Sequence, residues 1–433
     1  MEKSELHKYT PGNEDDYVKK GLHLKHKFTH KNHDGEGLTY KMWKTNARLI
    51  RSILDLHGFE QILGFEASIL WTNTVGKRHM FNGFNDYQWM NHFPGSYEIT
   101  RKMDLFKNFS LMQAKYKSKE YNYCPQTFLI PNEGDQFKEH LEKLKENDNN
   151  PDKLWIVKPN KLSRGRGIYL IKNFSQLDLK EPGIVSEYVD NPLTVNRHKF
   201  DLRIYVVVTS FYPLRIYVYR EGLARFATEK YDKNAAEKNL YVHLTNYSIN
   251  KKNKEFKHVK MSDDTLPFKW SLTAFFLRLA SCGVNVDLIW EQIYDLIIKS
   301  ILSSEKYIAD YAKEKLTKVN KSFEIFGYDV MIDQNLKPWL MEINLSPSLS
   351  LESDMDIKLK TKLVTEMFNL FGFKKLSTST LLEGTPWDEE SKGKRILSIE
   401  IPKHKCKNYK YIDPELTKEQ INEIIEEIEK GKL

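Results

Sequence analysis

Three clusters of residues in this 433-residue chain have the types and spacing to do chemistry. The stretch FGYDVMIDQNLKPWLMEINLSPSL reads as two strands joined by a polar turn at Asp333–Lys337. Alternate residues of a strand share a face. Glu342 and Asn344 therefore point one way, and Asp329, Met331 and Asp333 share a face of the partner strand. Asp329, Glu342 and Asn344 offer three oxygen donors of the hard type that Mg²⁺ takes, with water and phosphate completing its shell. The alternative is that Asp329 and Glu342 are satisfied by nearby Arg or Lys, because acids in apolar strands need a partner.

The basic cluster lies upstream. LWIVKPNKLSRGRGIYLI is a strand, a polar loop and a strand, with Lys158 at the end of the first strand. Gly165 and Gly167 free the loop for close approach to a ligand. Its N–H groups can cradle phosphate, with charge from Arg164 or Arg166. The loop is neither GxxxxGK[ST] nor GxGxxG, which excludes Walker-A and Rossmann readings. In KFDLRIYVVV, Phe200, Leu202, Ile204, Val206 and Val208 share one face, and Lys199, Asp201, Arg203 and Tyr205 the other. Such a polar face is either a site for hydroxyls and phosphates or salt-bridged decoration. GLARFATEKY adds Arg225 after a turn, and HLTNYSINK adds Thr245, Asn246, Tyr247 and Ser248. Cations for phosphates beside oxygen ligands for Mg²⁺ imply nucleotide-dependent phosphoryl chemistry.

The elements that must position these residues alternate in type. Trp43, Ala47, Ile50 and Leu54 predict a helix over Lys41–His57, stopped by Gly58. FEQILGFEASILW reads as two short strands, residues 91–113 as a Pro-Gly turn running into a basic helix, and 138–153 as a charged helix ending in a breaker. A strand-rich region follows, then helical 269–303, the two acidic strands, a helix near 356–370 and a last helix bearing Ile421, Ile424, Ile425 and Ile428. Strands mixed with helices, partly as hairpins, predict an α+β fold.

Composition narrows the partners. Lys+Arg number 67 against 59 Asp+Glu, a formal net charge of +8, which favours polyanions without choosing among them. Residues 411–433 hold seven acids and three lysines, so the basic excess belongs to the preceding part. Cys124, Cys282 and Cys406 are far apart, against a zinc ribbon or disulfide framework and in keeping with a reducing compartment. No run of about 18 apolar residues occurs, so no membrane span is expected. The polar first residues argue against a cleaved secretory signal. Residues 1–38 read as a flexible basic arm, in which His23, His26, His30 and His33 either bind metal or form a solvated segment.

The order NHFPGSYEITRKMDLFKN, WIVKP, SRGRG, KFDLRIYV, GLARFAT, HLTNYSINK and GYDVMIDQNLKPWLMEINLSPSL resembles the tubulin tyrosine ligase-like family from about residue 40 to 372. GLARFAT, HLTNYSINKKN and GVNVDLIWEQIYDLIIKSILSSEKY are similar to its polyglutamylases, in particular the member usually numbered four. The resemblance implies an ATP-grasp core of two α+β lobes that clasp ATP, preceded by an N-terminal α/β domain. The expected divisions are 1–38 arm, 39–130 N-terminal domain, 131–198 central lobe, 199–375 C-terminal lobe with the Mg²⁺ site, and 376–433 a tail ending in an acidic amphipathic helix.

The same resemblance implies roles for matching positions. Lys158, Arg164, Gly165, Thr245 and Asn246 would contact ATP; Ser186, Glu187, Tyr188 and Val189 would line adenine; Lys199 and Asp201 would hold ribose and phosphate. Asp329, Glu342 and Asn344 match Mg²⁺ ligands, and Arg225, Tyr247, Ser248, Lys269 and Lys358 the amino-acid site. Arg203 would stabilise the transferring phosphate, making Arg203, Arg225 and Glu342 the catalytic set. Ser186 and Glu187 depart from the Gln and Lys or Arg often found there. The implied activity is an ATP-dependent ligase that adds free L-glutamate to glutamate side chains of acidic tubulin tails. Glycine or tyrosine ligation, or an inactive microtubule-binding adaptor, are the alternatives. The implied setting is cytoplasm and cytoskeleton, including cilium, flagellum or basal body, as a monomer without nucleic-acid or membrane partners.

Overall fold

The computed structural model describes residues 38–75, 88–116, 121–147, 153–160, 162, 165–232, 239–250, 253, 268–315, 322–371 and 409–412. The histidine-bearing arm, Arg164 and the isoleucine-rich last helix lie outside them. The fold is mixed α and β, with three sheets.

The first sheet holds β1 (Thr39–Trp43), β2 (Glu60–Gln61), β3 (Ile69–Thr72) and β4 (Trp89–Met90) in the parallel order β2-β1-β3-β4. Here the helix expected over Lys41–His57 is corrected. Residues 39–43 are a strand, and α1 spans only Arg48–Leu56. Four register pairs with Ile69–Thr72 override the helical spacing, and Lys44 at φ 52° turns the chain between the two elements. Leu49, Ile50, Ile53 and Leu54 are the buried face of α1. The short strands expected in FEQILGFEASILW are β2 and β3. α2 (Tyr97–Thr100) and α3 (Lys102–Lys115) follow the Pro-Gly turn.

The second sheet is antiparallel, order β5-β8-β6-β7, from β5 (Thr127–Ile130), β6 (Trp155–Pro159), β7 (Tyr169–Ile171) and β8 (Gly183–Glu187). α4 (Gly134–Asn147) lays Phe137 against Trp155, ring centroids 5.0 Å apart.

The third sheet is the frame of the molecule. Its path is β12-β11-β10-β13-β14, with β9 (Thr194–Val195) pairing β10. The strands are β10 (His198–Phe211), β11 (Leu214–Lys230), β12 (Lys269–Ser271), β13 (Glu324–Ile332) and β14 (Pro338–Asn344). β15 (Tyr409–Ile412) adds to β11, an element that the sequence reading does not contain. Residues 269–271, expected to open a helix, are the strand β12, because they pair with Leu223–Arg225. α5 (Leu240–His243) and α6 (Tyr247–Asn250) follow β11. α7 (Leu272–Ser281) starts at Ser271, whose Oγ accepts from Ala274 N at 3.2 Å, a cap worth roughly 1 kcal/mol. α8 (Val286–Lys315) and α9 (Asp354–Phe371) complete the chain order.

The alternation read in KFDLRIYVVV holds. Phe200, Leu202, Ile204, Val206 and Val208 pack with Phe275 of α7 and Ile293 and Ile297 of α8. On the other face Tyr205, Val207 and Tyr219 pack with Leu363 and Met367 of α9 and with Tyr40 and Trp71 of the first sheet. Each such side chain contributes roughly 1.5–3 kcal/mol by leaving water. That second apolar layer gives way at the 199–203 end of β10, where Lys199, Asp201 and Arg203 take the same face.

A buried polar joint ties the first sheet to β13. Glu324, fully buried, accepts from His92 Nδ1 at 2.5 Å, from Phe93 N at 3.2 Å and from Ser96 Oγ. The other ring nitrogen of His92 lies 2.9 Å from the carbonyl oxygen of Thr72.

Candidate functional site

The polar end of the large sheet forms one wall of a cleft of about 660 Å³, mouth included. β6 supplies Ile156 and Lys158, the residue before β7 is Ile168, and the end of β8 with the residues after it supplies Glu187, Tyr188 and Val189. The large sheet supplies Lys199, Asp201, Asp329, Met331, Met341 and Glu342, and the α5–α6 link supplies Leu244, Thr245 and Asn246. Apolar side chains thus sit beside two ammonium groups and four carboxylates.

Register explains how residues far apart in sequence meet. Asp201 pairs with Arg225 on β11, and Arg203 pairs with Asp329 on β13. Directly opposed residues share a face. Arg203 forks onto Asp329, Nε to Oδ1 at 2.5 Å and a terminal nitrogen to Oδ2 at 3.1 Å. Arg225 forks onto Asp201 at 2.6 and 2.7 Å and also donates to Asp329 Oδ2 at 2.6 Å. Thr245 Oγ1 donates to Asp201 Oδ2. Burial by itself would raise the Asp329 carboxyl, but the Arg203 and Arg225 guanidiniums hold it well below the usual carboxylate range. Gly327 makes room for Arg203: a Cβ there would stand 2.8 Å from Pro347 and 3.2 Å from Arg203 Cδ.

Asp329 and Glu342 are register partners on β13 and β14. Burial, and then the neighbouring Asp329 carboxylate, push the Glu342 carboxyl up. Asn344 Nδ2 donates to Glu342 Oε1 at 3.1 Å and to the Gly327 carbonyl at 3.2 Å. The two alternatives for these acids therefore coexist: Asp329 is arginine-paired, while Glu342 stands against a like charge. Oxygen donors crowded with negative charge fit a hard divalent cation.

Lys158 is buried, and no ion pair to it occurs among the described residues. Burial pushes its ammonium down, with Glu342 opposing. Lys199 is pushed down to about 7, by burial first and then by Lys158, with Asp201 opposing. Its Nζ donates to the Tyr188 hydroxyl at 2.9 Å and lies 4.4 Å from that ring's centroid. The Tyr188 hydroxyl shares a hydrogen bond of 3.0 Å with His243 Nδ1. Gly165, at φ 74°, passes under Ile249 and Asn246, where a Cβ would meet Ile249 Cδ1 at 2.4 Å.

The remaining expected residues fall in three places. Ser186 is buried beside Thr127, its Oγ 2.9 Å from Thr127 Oγ1, and does not line the cleft. Glu187 does line it and pairs with Lys153 at 2.9 Å. Tyr247 and Ser248 are on α6; only its backbone is described at those two positions. Lys269, the register partner of Arg225, reaches Asp356 Oδ2 at 2.5 Å. Lys358 is exposed, whereas Lys360 is buried with its ammonium 2.8 Å from Asp356 Oδ1. Burial works to raise the Asp356 carboxyl, but Lys360 and Lys269 bring it below its usual value.

The sequence reading missed Asp356, Lys360 and Lys102. Lys102 opens α3 and donates to the Leu162 carbonyl at 3.1 Å, and its charge is felt by both Lys158 and Glu342. The DMDIKLK spacing, with Asp356 four residues before Lys360, is the i,i+4 signal that was present to find that pair.

Cleft and sheet together set two buried ammonium groups beside the Asp329–Glu342 pair. A family model for the tubulin-tyrosine ligase family matches residues 80–379. The chain belongs to that family, an ATP-dependent ligase family. It is 43% identical over 342 residues to tubulin polyglutamylase TTLL5 of Homo sapiens, covering 78% of this chain and 26% of that protein. It is 41% identical over 294 residues to tubulin monoglutamylase TTLL4 of Mus musculus, 68% and 24%. The probable tubulin polyglutamylase TTLL2 of Homo sapiens is 36% identical over 340 residues, 77% and 55%. The chain spans about a quarter of the length of the first two relatives. Among the described residues no helix is long and apolar enough to cross a membrane.

Proposed function

We propose that the chain is an ATP-dependent tubulin–glutamate ligase. The observation that carries this reading is the opposition, across one cleft, of the buried ammoniums of Lys158 and Lys199 to the Asp329–Glu342 pair. Among the described residues neither ammonium has an ion-pair partner, which fits a phosphate, and Glu342 beside the arginine-held Asp329 fits a metal. The names of the relatives support tubulin as acceptor and glutamate as the added group.

In this reading residues 131–198 and 199–375 are the two ATP-grasp lobes, 39–130 an N-terminal domain, 1–38 a basic arm and 376–433 a tail. Tyr188, Val189 and the backbone of Ser186 and Glu187 receive adenine, with Ile156, Ile168 and Leu244 as apolar walls. Lys199 and Asp201 take ribose and phosphate. Lys158, Arg164, the Gly165 turn, Thr245 and Asn246 take the phosphates. Asp329, Glu342 and Asn344 would hold Mg²⁺, which when bound neutralises phosphate charge. Arg203 supports the transferring phosphoryl group. Arg225, Tyr247, Ser248, Lys269 and Lys358 form the amino-acid site, with Lys360 adding a buried charge to it.

A carboxylate is a poor electrophile because its leaving group would be oxide. An acceptor γ-carboxylate oxygen therefore attacks the ATP γ-phosphorus, and the bond from that phosphorus to ADP breaks. The amine of glutamate then attacks the acyl carbon, the carbon–oxygen bond to phosphate breaks, and the nitrogen sheds its proton. Arg203 and Arg225 serve the first step by keeping fixed positive charge at the reacting group. They cost little reorganisation because Asp201 and Asp329 already hold them in place. Glutamate brings two carboxylates and so matches a site with several cations better than glycine does.

We place the activity at the cytoskeleton, including ciliary and flagellar microtubules, with acidic tubulin tails as partners of a monomeric enzyme. Incubation of the protein with ATP, Mg²⁺, tubulin and radiolabelled glutamate, glycine or tyrosine tests the reading. Glutamate alone should enter tubulin, in an ATP-dependent manner. Label only from glycine or tyrosine, or tubulin binding without any incorporation, would contradict it.

A further inference from the structure

Asp356 is a buried acid that the mechanism above does not use. It lies in the first turn of α9, and its own N–H is capped by Ser353 Oγ at 3.2 Å. Its Oδ2 accepts from Lys269 Nζ at 2.5 Å and from Ser353 Oγ at 3.0 Å, and its Oδ1 faces Lys360 Nζ at 2.8 Å. Lys360 Nζ also donates to the carbonyl of Ser350 at 2.6 Å. One carboxylate thus gathers an ammonium from the edge strand β12, an ammonium from α9, and the loop that leaves β14 just beyond Asn344.

The charges do not cancel. Arg203 and Arg225 are matched by Asp201 and Asp329, but Lys269 and Lys360 share the one buried charge of Asp356, with only the exposed Glu352 acting further on Lys360. The surplus is positive and almost enclosed: the side chains of Lys360 and Lys269 are 6% and 17% exposed and that of Asp356 1%. Enclosed positive surplus is costly unless an anion arrives. Lys269 is also directly opposite Arg225 across the β11–β12 ladder, so both side chains leave the same face of the sheet.

We propose that Asp356 is the positioning residue of the amino-acid site. It holds the Lys269 ammonium beside Arg225, and with Lys360 it ties that ammonium to the loop after the Asp329–Glu342 hairpin. The group so positioned receives a carboxylate of the incoming amino acid. This assignment rests on the ligase reading above. The carboxylate need not touch the substrate itself. A lysine stem released from Asp356 regains its rotamer freedom and no longer presents one geometry.

Asp356→Asn keeps the shape and removes the charge. Binding of L-glutamate to the ADP- and Mg²⁺-loaded protein, measured by calorimetry, is compared with ligation kinetics. Glutamate Kd and KM should both rise about tenfold or more, the loss of one charge-assisted hydrogen bond, while kcat changes by less than roughly threefold and the ATP KM stays put. Should the single variant fold poorly for its added positive charge, Asp356→Asn/Lys360→Met returns the cluster to its original charge. That double variant should regain the wild-type unfolding temperature, and its glutamate KM should exceed that of Lys360→Met alone. Wild-type glutamate affinity in either variant overturns the role, as does a parallel change in kcat and ATP KM. A wild type that binds no amino acid overturns the ligase reading, and this role with it.

Discussion

Arg203 and Asp329 face each other across β10 and β13 and join through two hydrogen bonds, 2.5 and 3.1 Å long. The fork matters because a guanidinium is planar and offers two parallel donors, whereas an ammonium is a point charge. Arg203→Lys should therefore keep the charge and lose the geometry. The expected result is a fall in kcat of about 10²–10³-fold, the size seen when one fixed donor to a developing charge is removed. Steady-state ligation kinetics check this. A variant within a few-fold of wild-type kcat would show that Arg203 is only a strut for Asp329.

Lys199 yields a proton-linkage prediction. Burial and the charge of Lys158 push its ammonium down to about 7, so above that pH the free protein holds it largely neutral. A bound polyphosphate favours the charged form and raises the pKa again. ATP binding at pH 8 should take up a fraction of a proton approaching one, and at pH 6 almost none. Calorimetry in two buffers of different ionisation enthalpy measures the uptake. Identical heats in both buffers at pH 8 would contradict the assignment, and Lys199→Met should abolish the difference.

Glu342 lies beside Asp329, and the like charge adds to burial in pushing its carboxyl up. Glu342→Gln removes one of two crowded negative charges. Ligation should be lost while tubulin binding is retained, and the unfolding temperature should hold or rise. An unchanged ligation rate would remove Glu342 from the metal set. A large fall in unfolding temperature would mean that the carboxylate is structural.

The His92–Glu324 joint predicts a stability effect away from the cleft. His92→Leu leaves the buried Glu324 carboxyl without the ring nitrogen's hydrogen bond, and leaving a buried polar group short of a partner costs about 1–3 kcal/mol. Urea unfolding should show a loss of that order, with the first sheet losing its protection from hydrogen exchange earliest. A loss below about 1 kcal/mol would mean that Phe93 N and Ser96 Oγ suffice to hold Glu324.

The strands of the large sheet were legible because their alternation is strict: one face of β10 is all apolar, and the other carries Lys199, Asp201 and Arg203. The cleft acids and cations followed from the same period-two rule. Helix phase was less legible. Lys358 and Lys360 are two positions apart, about 200° around a helix, and the i,i+4 spacing from Asp356 singles out the second. The β1 strand was hidden by a run of helical spacing that pairing with β3 overrides. The joint between His92 and Glu324 spans 232 residues of sequence, and a single chain carries no local sign of it. Lys102 was read as part of a basic helix face, whereas its ammonium turns to the loop before Gly165.

The central claim is that an acceptor carboxylate is activated by phosphorylation within this cleft. A tubulin-tail peptide whose glutamate γ-carboxylates carry heavy oxygen, incubated with the protein, ATP, Mg²⁺ and glutamate, tests it most directly. Mass spectrometry of the released phosphate should find one heavy oxygen for each glutamate added to the peptide. Glutamate addition with only light oxygen in the phosphate, or phosphate release without glutamate addition, would contradict the account.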